Sequence, residues 1–177
     1  MTDRVMLDLE TLGVEPGAAI CSLGAVRFDA GGLGETYYGE IDLTSCEEAG
    51  LTIDAGTLEW WLGQDDEAAA VLVGGESLET ILATFTEWYA DADEVWGNSP
   101  TFDCGLLEAA YEAAGMEPPW SYWEWRDYRT LKKLPGAADL EHDGVEHDAL
   151  DDAEYQAQAA ARTLATLQEW AGGEADP

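Results

Sequence analysis

Three apolar stretches open the chain: residues 4–9 (RVMLDL), 19–28 (AICSLGAVRF) and 34–41 (GETYYGEI). Short apolar runs bounded by turn residues predict strands, and Gly31 with Gly32 supplies the turn between the last two, so an antiparallel meander is expected. The spacing then turns helical. Residues 54–62 begin with Asp54 as an N-cap and continue as an amphipathic helix. Residues 77–89 open with Ser-x-x-Thr and carry apolar side chains at 78, 81, 82, 85, 88 and 89, again one helix face. DEVWGNSP predicts a short strand and a loop. Residues 103–114 predict a helix stopped by Gly115 and the Pro118-Pro119 pair. The tryptophan-rich PPWSYWEW leads to a basic helix that ends at Pro135-Gly136. Residues 149–171 form one long helix, and the last six residues are expected to fray. Three strands, then helices alternating with at least one more strand, make a single α/β domain over residues 1–171, with no repeat and no linker.

Composition changes this picture in one respect. Of 177 residues, 38 are Asp or Glu and 7 are Lys or Arg, a formal charge of −31. A 46% hydrophobic content with 8 Trp and 7 Tyr excludes a disordered acidic tail. No apolar run approaches the roughly 20 residues of a membrane helix. The N-terminal MTDRVMLDLE carries acids where an export signal has an apolar stretch. Cys21, Cys46 and Cys104 are too few and scattered for a disulfide framework or a zinc knuckle. The expected setting is therefore cytoplasmic. Acid spread along the whole chain repels itself at low ionic strength, a cost that disappears where molar salt shrinks the screening length to about 3 Å. This is the signature of a halophilic cytoplasm, with an acidic mesophilic protein and a nucleic-acid mimic as the alternatives.

Against that background, Arg126, Arg129, Lys132 and Lys133 fall within eight residues. On a helix, 126, 129 and 133 share a face, which reads either as cations paired with neighbouring acids or as a small patch for a polyanion. Among so many acids, context has to select. Asp8 and Glu10 alternate at the end of an apolar strand and so point to one side. Two anions held that close need a cation or a raised pKa, and an oxygen-only set suits Mg²⁺ or Mn²⁺. Alone they read more readily as two solvated strand-end acids. Asp103 starts a helix after a loop containing Gly97 and Asn98, where it could be a plain cap. His147 precedes the last helix, five residues before Asp152, with Asp151 adjacent as an alternative. His142, in the acidic loop DLEHDG, reads as solvated.

Taken in order, LDLETLG, GNSPTFD and HDALDD resemble the three motifs of the DEDDh 3′–5′ exonucleases of the ribonuclease-H-like superfamily. TLEWW, GNSPTFD, RDYRTL and HDALDDA are similar to the branch that contains phage DNA exonuclease A and a mycobacterial 3′–5′ exoribonuclease. The resemblance runs from about residue 5 to 165 and implies a mixed sheet, three antiparallel strands plus parallel ones, flanked by helices. It implies Asp8, Glu10, Asp103 and Asp152 as ligands of two divalent ions, Mg²⁺ or Mn²⁺, and neutral His147 as the proton acceptor. The spacing of the third motif favours Asp152 over Asp151.

The implied substrate is a single-stranded 3′ end of DNA or RNA, released as nucleoside 5′-monophosphates. Glu10 and the backbone of Thr11 and Leu12 would hold the terminal 3′-OH. Trp60, Trp61 and Phe102 are candidates for stacking on bases, with core packing as their other role. Asn98 and Arg129 are candidates for polar contacts. A hybrid-cutting endonuclease and a catalytically silent acidic module are the competing readings. Oligomeric state is open, a homodimer included.

Overall fold

The computed structural model describes residues 2–64, 66–142, 144 and 147–173. The three apolar stretches form β1 (Arg4–Thr11), β2 (Ile20–Asp29) and β3 (Gly32–Glu40), and both neighbouring pairs are antiparallel. β4 (Glu94–Gly97) joins the other side of β1 in parallel, and β5 (Trp125–Asp127) extends β4 in parallel. The sheet order is β3-β2-β1-β4-β5. This is the expected mixed sheet.

The helices are α1 (Leu43–Ala49), α2 (Ala55–Trp61), α3 (Asp66–Ala69), α4 (Leu78–Tyr89), α5 (Asp103–Ala113), α6 (Tyr128–Leu131) and α7 (Ala149–Gly173). Two of the predicted caps form: Asp54 Oδ1 accepts from Thr57 N at 2.8 Å, and Ser77 Oγ accepts from Thr80 N at 3.3 Å. α1 had no sequence-level counterpart. α7 runs two residues beyond its expected end, and the last four residues of the expected frayed tail lie outside the described residues. All three cysteines are free and buried. Among the described residues no helix is long and apolar enough to cross a membrane.

Strand alternation divides the core into two. Val5, Leu7 and Leu9 of β1 face one side with Leu82 and Phe85 of α4 and Leu107 of α5. Met6 faces the other, with Val26, Phe28 and Trp96, against Ala153, Ala157 and Ala160 of α7. Alternation places Asp8 and Glu10 on this second face, under α7. Small residues let a helix lie close to a sheet, and at Gly24 the two backbones meet directly. In the β1–β2 register Gly24 is directly opposite Asp8, and a Cβ on it would overlap the backbone of Ala149. The missing side chain is what brings the first turn of α7 down beside Asp8.

The basic segment departs from expectation. It is no continuous helix: Arg126 belongs to β5, and α6 is a single turn. The Nε of Arg126 donates to Glu94 Oε1 at 3.0 Å while Arg4 Nε holds the other oxygen of Glu94 at 2.9 Å. Parallel pairing with β4, a tertiary interaction, overrides the helical spacing of 126, 129 and 133. Arg126 is therefore a structural cation, and the shared cationic face does not exist.

Gly24→Ala is expected to lift α7 from the sheet, destabilising the protein by about 1–3 kcal/mol. Chemical denaturation checks this; an unchanged midpoint would show that α7 does not depend on the bare backbone at Gly24.

Candidate active site

Three carboxylates meet where α7 crosses β1. Asp8, Glu10 and Asp152 each offer an oxygen, and these lie within 4.8 Å of one another. Asp152 sits in the first turn of α7, so the contact at Gly24 that seats the helix also delivers this acid. Asp103 arrives from the other direction, at the start of α5 beyond the end of β4. Its Oδ2 accepts the Ser99 N–H at 3.0 Å. Gly97 makes room for it, since a Cβ there would press on the Asp103 side chain.

The electrostatics are unfavourable for anions. Burial first, and then the negative charge of Asp103, push the Asp8 carboxyl well above the usual range, with Asp152 and Glu10 adding to the effect. A hydrogen bond from Gln156 opposes the rise. Glu10 is raised to about 8 by burial and by Asp152, Asp148 and Asp103. Burial raises Asp103 to about 7, against the Ser99 N–H and, more weakly, Arg129. Asp152 is raised by burial, and His142 and His147 oppose that rise. Carboxylates that resist charging together fit a hard divalent cation, and Asp8, Glu10 and Asp152 are close enough to share one.

These residues line one cleft of about 830 Å³, which also holds His147, Arg129, Asn98, Phe102, Thr11 and Trp60. His147 has a left-handed backbone, φ 67°. Its ring stands edge-on to Trp60, centroids 4.8 Å apart, with Trp61 at 6.1 Å. Trp60 is 44% exposed, whereas Trp61 is buried and its indole N–H donates to the Thr11 carbonyl at 3.0 Å. Trp61 thus plays a wall-building role, and Trp60 presents the accessible aromatic surface. Phe102 is half-buried beside Asp103. Leu12 does not share the cleft: its side chain is buried, its N–H donates to Ala19 O, and its carbonyl accepts from Asp54 N.

The fold also gives places to residues that sequence reasoning passed over or read differently. Gln156 Nε2 donates to Asp8 Oδ1 at 2.8 Å. Its signal was its position one turn after Asp152 on the same helix face. Lys132 Nζ donates to Asn98 Oδ1 at 3.1 Å, at the cleft's edge. His142 is not solvated. It packs edge-on against Tyr155, and its Nε2 lies 3.1 Å from Asp152 Oδ1, within ion-pair distance though not hydrogen-bonded. Tyr155 also donates to Leu140 O, which pins this acidic loop onto α7 in a way its composition conceals.

The raised acids make stability depend on pH. A carboxyl whose folded pKa exceeds its unfolded value of about 4 binds more protons folded than unfolded. Its contribution is full below that unfolded value and is lost as pH rises through the folded one. Ordinary surface acids have finished titrating by about pH 6, whereas Glu10 and Asp103 lose their contribution across the window from 6 to 8, and Asp8 is raised in the same direction. The Tm of metal-free protein is expected to fall across that window, and millimolar MnCl₂ to flatten the fall. An equal slope with and without Mn²⁺ would contradict the assignment.

Comparison with known proteins places this geometry. Over residues 3–164 the chain matches the family described as 3′-5′ exoribonuclease Rv2179c-like domain. No curated protein sequence matches it. Among solved structures, E. coli exonuclease I in complex with a dA16 oligonucleotide superposes with TM-score 0.68 at 18% identity. That match covers 96% of this chain and 42% of exonuclease I, so the chain spans about two fifths of that protein. The nuclease domain of 3′hExo, a DEDDh family member bound to rAMP, matches with TM-score 0.67 at 14% identity, covering 92% of this chain and 91% of that one. Cell-death related nuclease 4 matches with TM-score 0.64 at 13% identity, covering 96% and 64%. At these identities the likeness concerns the fold, which is the ribonuclease-H-like exonuclease fold. The family match extends over nearly the whole chain, and by it the chain belongs to the Rv2179c-like 3′-5′ exoribonuclease domain family.

Proposed function

We propose that this protein is a metal-dependent 3′–5′ exonuclease that shortens single-stranded nucleic acid one nucleoside 5′-monophosphate at a time. The observation that carries the reading is the convergence of Asp8, Glu10, Asp103, His147 and Asp152 on one cleft. The description of its family supports RNA as the first substrate to test, and the oligonucleotide in the exonuclease I complex makes DNA the comparison. An acidic mimic of nucleic acid would display its charge, whereas Glu10 and Asp103 are buried.

Divalent cations held by Asp8, Glu10, Asp103 and Asp152 would neutralise the phosphate and lower the pKa of the attacking water. The chain's own groups do the rest. His147, neutral, accepts the proton of the water that attacks phosphorus, and the bond to the 3′ oxygen of the preceding nucleotide breaks. The aromatic pair behind it limits the directions its ring can take. Trp60 offers a face to the terminal base, an interaction of about 1–3 kcal/mol that salt does not screen. Arg129 attracts phosphate, one of few cations placed to do so. Lys132 occupies Asn98 Oδ1, leaving the amide N–H groups of Asn98 for the strand. The −31 charge supports a halophilic origin, where counterion release adds little to binding and such local contacts must suffice.

The test uses 5′-labelled RNA and DNA oligonucleotides with MnCl₂ in molar KCl. A ladder shortening from the 3′ end is expected. Asp152→Ala should reduce the rate by about 10²–10³-fold or more, and His147→Ala by about 10²–10⁴-fold, with the fold retained. Internal cuts, or full activity in Asp152→Ala, would overturn the reading.

A further inference from the structure

Gln156 is 6% exposed and lies one turn beyond Asp152 on α7. Its Nε2 donates to Asp8 Oδ1 at 2.8 Å, while its Oε1 is buried without a hydrogen-bond partner among the described residues. An orphaned amide oxygen in the interior is costly. The surrounding stripe of α7 is alanine, at 153, 157 and 160. Packing alone would be served better by methionine or leucine, which fill similar space with no unpaired oxygen. The amide is therefore kept for its N–H, which Asp8 accepts. The opposite orientation of the amide would set two oxygens against each other.

A carboxylate otherwise turns freely about its Cβ–Cγ bond, and a donor fixed on one oxygen sets its plane. The donor here rides on the same rigid helix as Asp152, so a single element both supplies one acid of the cluster and aims another. We propose that Gln156 is a positioning residue for Asp8, setting the affinity of the site for a divalent cation and not its affinity for the nucleic-acid strand. This rests on the cation-dependent reading of the cleft.

Mn²⁺ binding to the whole protein, followed by calorimetry, tests it independently of turnover. Gln156→Met is expected to weaken Mn²⁺ binding about 10–100-fold and to raise the Mn²⁺ needed for half-maximal cleavage by the same factor. At saturating Mn²⁺ its kcat should recover, with KM for the oligonucleotide unchanged. Its metal-free Tm should stay close to that of the wild type, because the orphaned Oε1 is gone while Asp8 Oδ1 loses its donor; a merely structural glutamine would lower Tm without changing Mn²⁺ affinity and would not be rescued by metal. Gln156→Leu repeats the test with a different shape. Unchanged Mn²⁺ affinity, activity not restored by excess Mn²⁺, or loss of the fold in both variants would overturn the proposal. A wild-type protein that neither binds Mn²⁺ nor cleaves would instead overturn the nuclease reading.

Discussion

Where α7 meets the sheet, the strand beneath it has no side chain, and the rest of the site follows from that. Gly24 is paired with Asp8, and the backbone of Ala149 occupies the volume any other residue at 24 would fill. A helix seated this closely brings Gln156 to Asp8 at hydrogen-bonding range and an oxygen of Asp152 within 4.8 Å of it, while its alanines complete the second core. Gly97 performs the same service for Asp103 at the end of β4. Two absent side chains, one on each side of β1, thus decide how near the acids can come.

Close approach has an electrostatic consequence. The acids of the cleft are pushed toward their neutral forms, Glu10 as far as about 8. Elsewhere on the chain the acids are mostly exposed, and solvent and salt attenuate their repulsion. The two populations of carboxylate therefore do different things. The surface set governs how the protein tolerates its ionic surroundings, and the buried set creates a demand for a cation at one point. The arginines illustrate the same economy, since Arg4 and Arg126 are spent on Glu94 and leave Arg129 to face the cleft.

Much of this was legible in the sequence, for reasons that can be named. β1, β2 and β3 announce themselves because their apolar runs are bounded by glycine turns, and α2 and α4 because Asp54 and Ser77 cap them. Asp8, Glu10, Asp103, His147 and Asp152 could be picked out because their spacing matched an ordered set of motifs, and the structure gathers all five in one cleft. What was hidden depends on tertiary contacts. Arg126 sits at helical spacing from its basic neighbours, yet pairing with β4 makes it a strand residue. His142 lies among acids in sequence, yet Tyr155 and Asp152 enclose it. Leu12 lies two residues after Glu10, but past a bulge its N–H is taken by Ala19 and its carbonyl by Asp54. Gln156 carried only the signal of lying one turn after Asp152 on the same helix face, and its role emerges once Asp8 is placed beside it.

The central claim is that the acids of β1 and α7 form one cation pocket. Crystals soaked in MnCl₂ and measured at the manganese absorption edge test it most directly. The account predicts anomalous density between the carboxylates of Asp8, Glu10 and Asp152. Manganese bound only to surface acids, with none in that cleft, would contradict it.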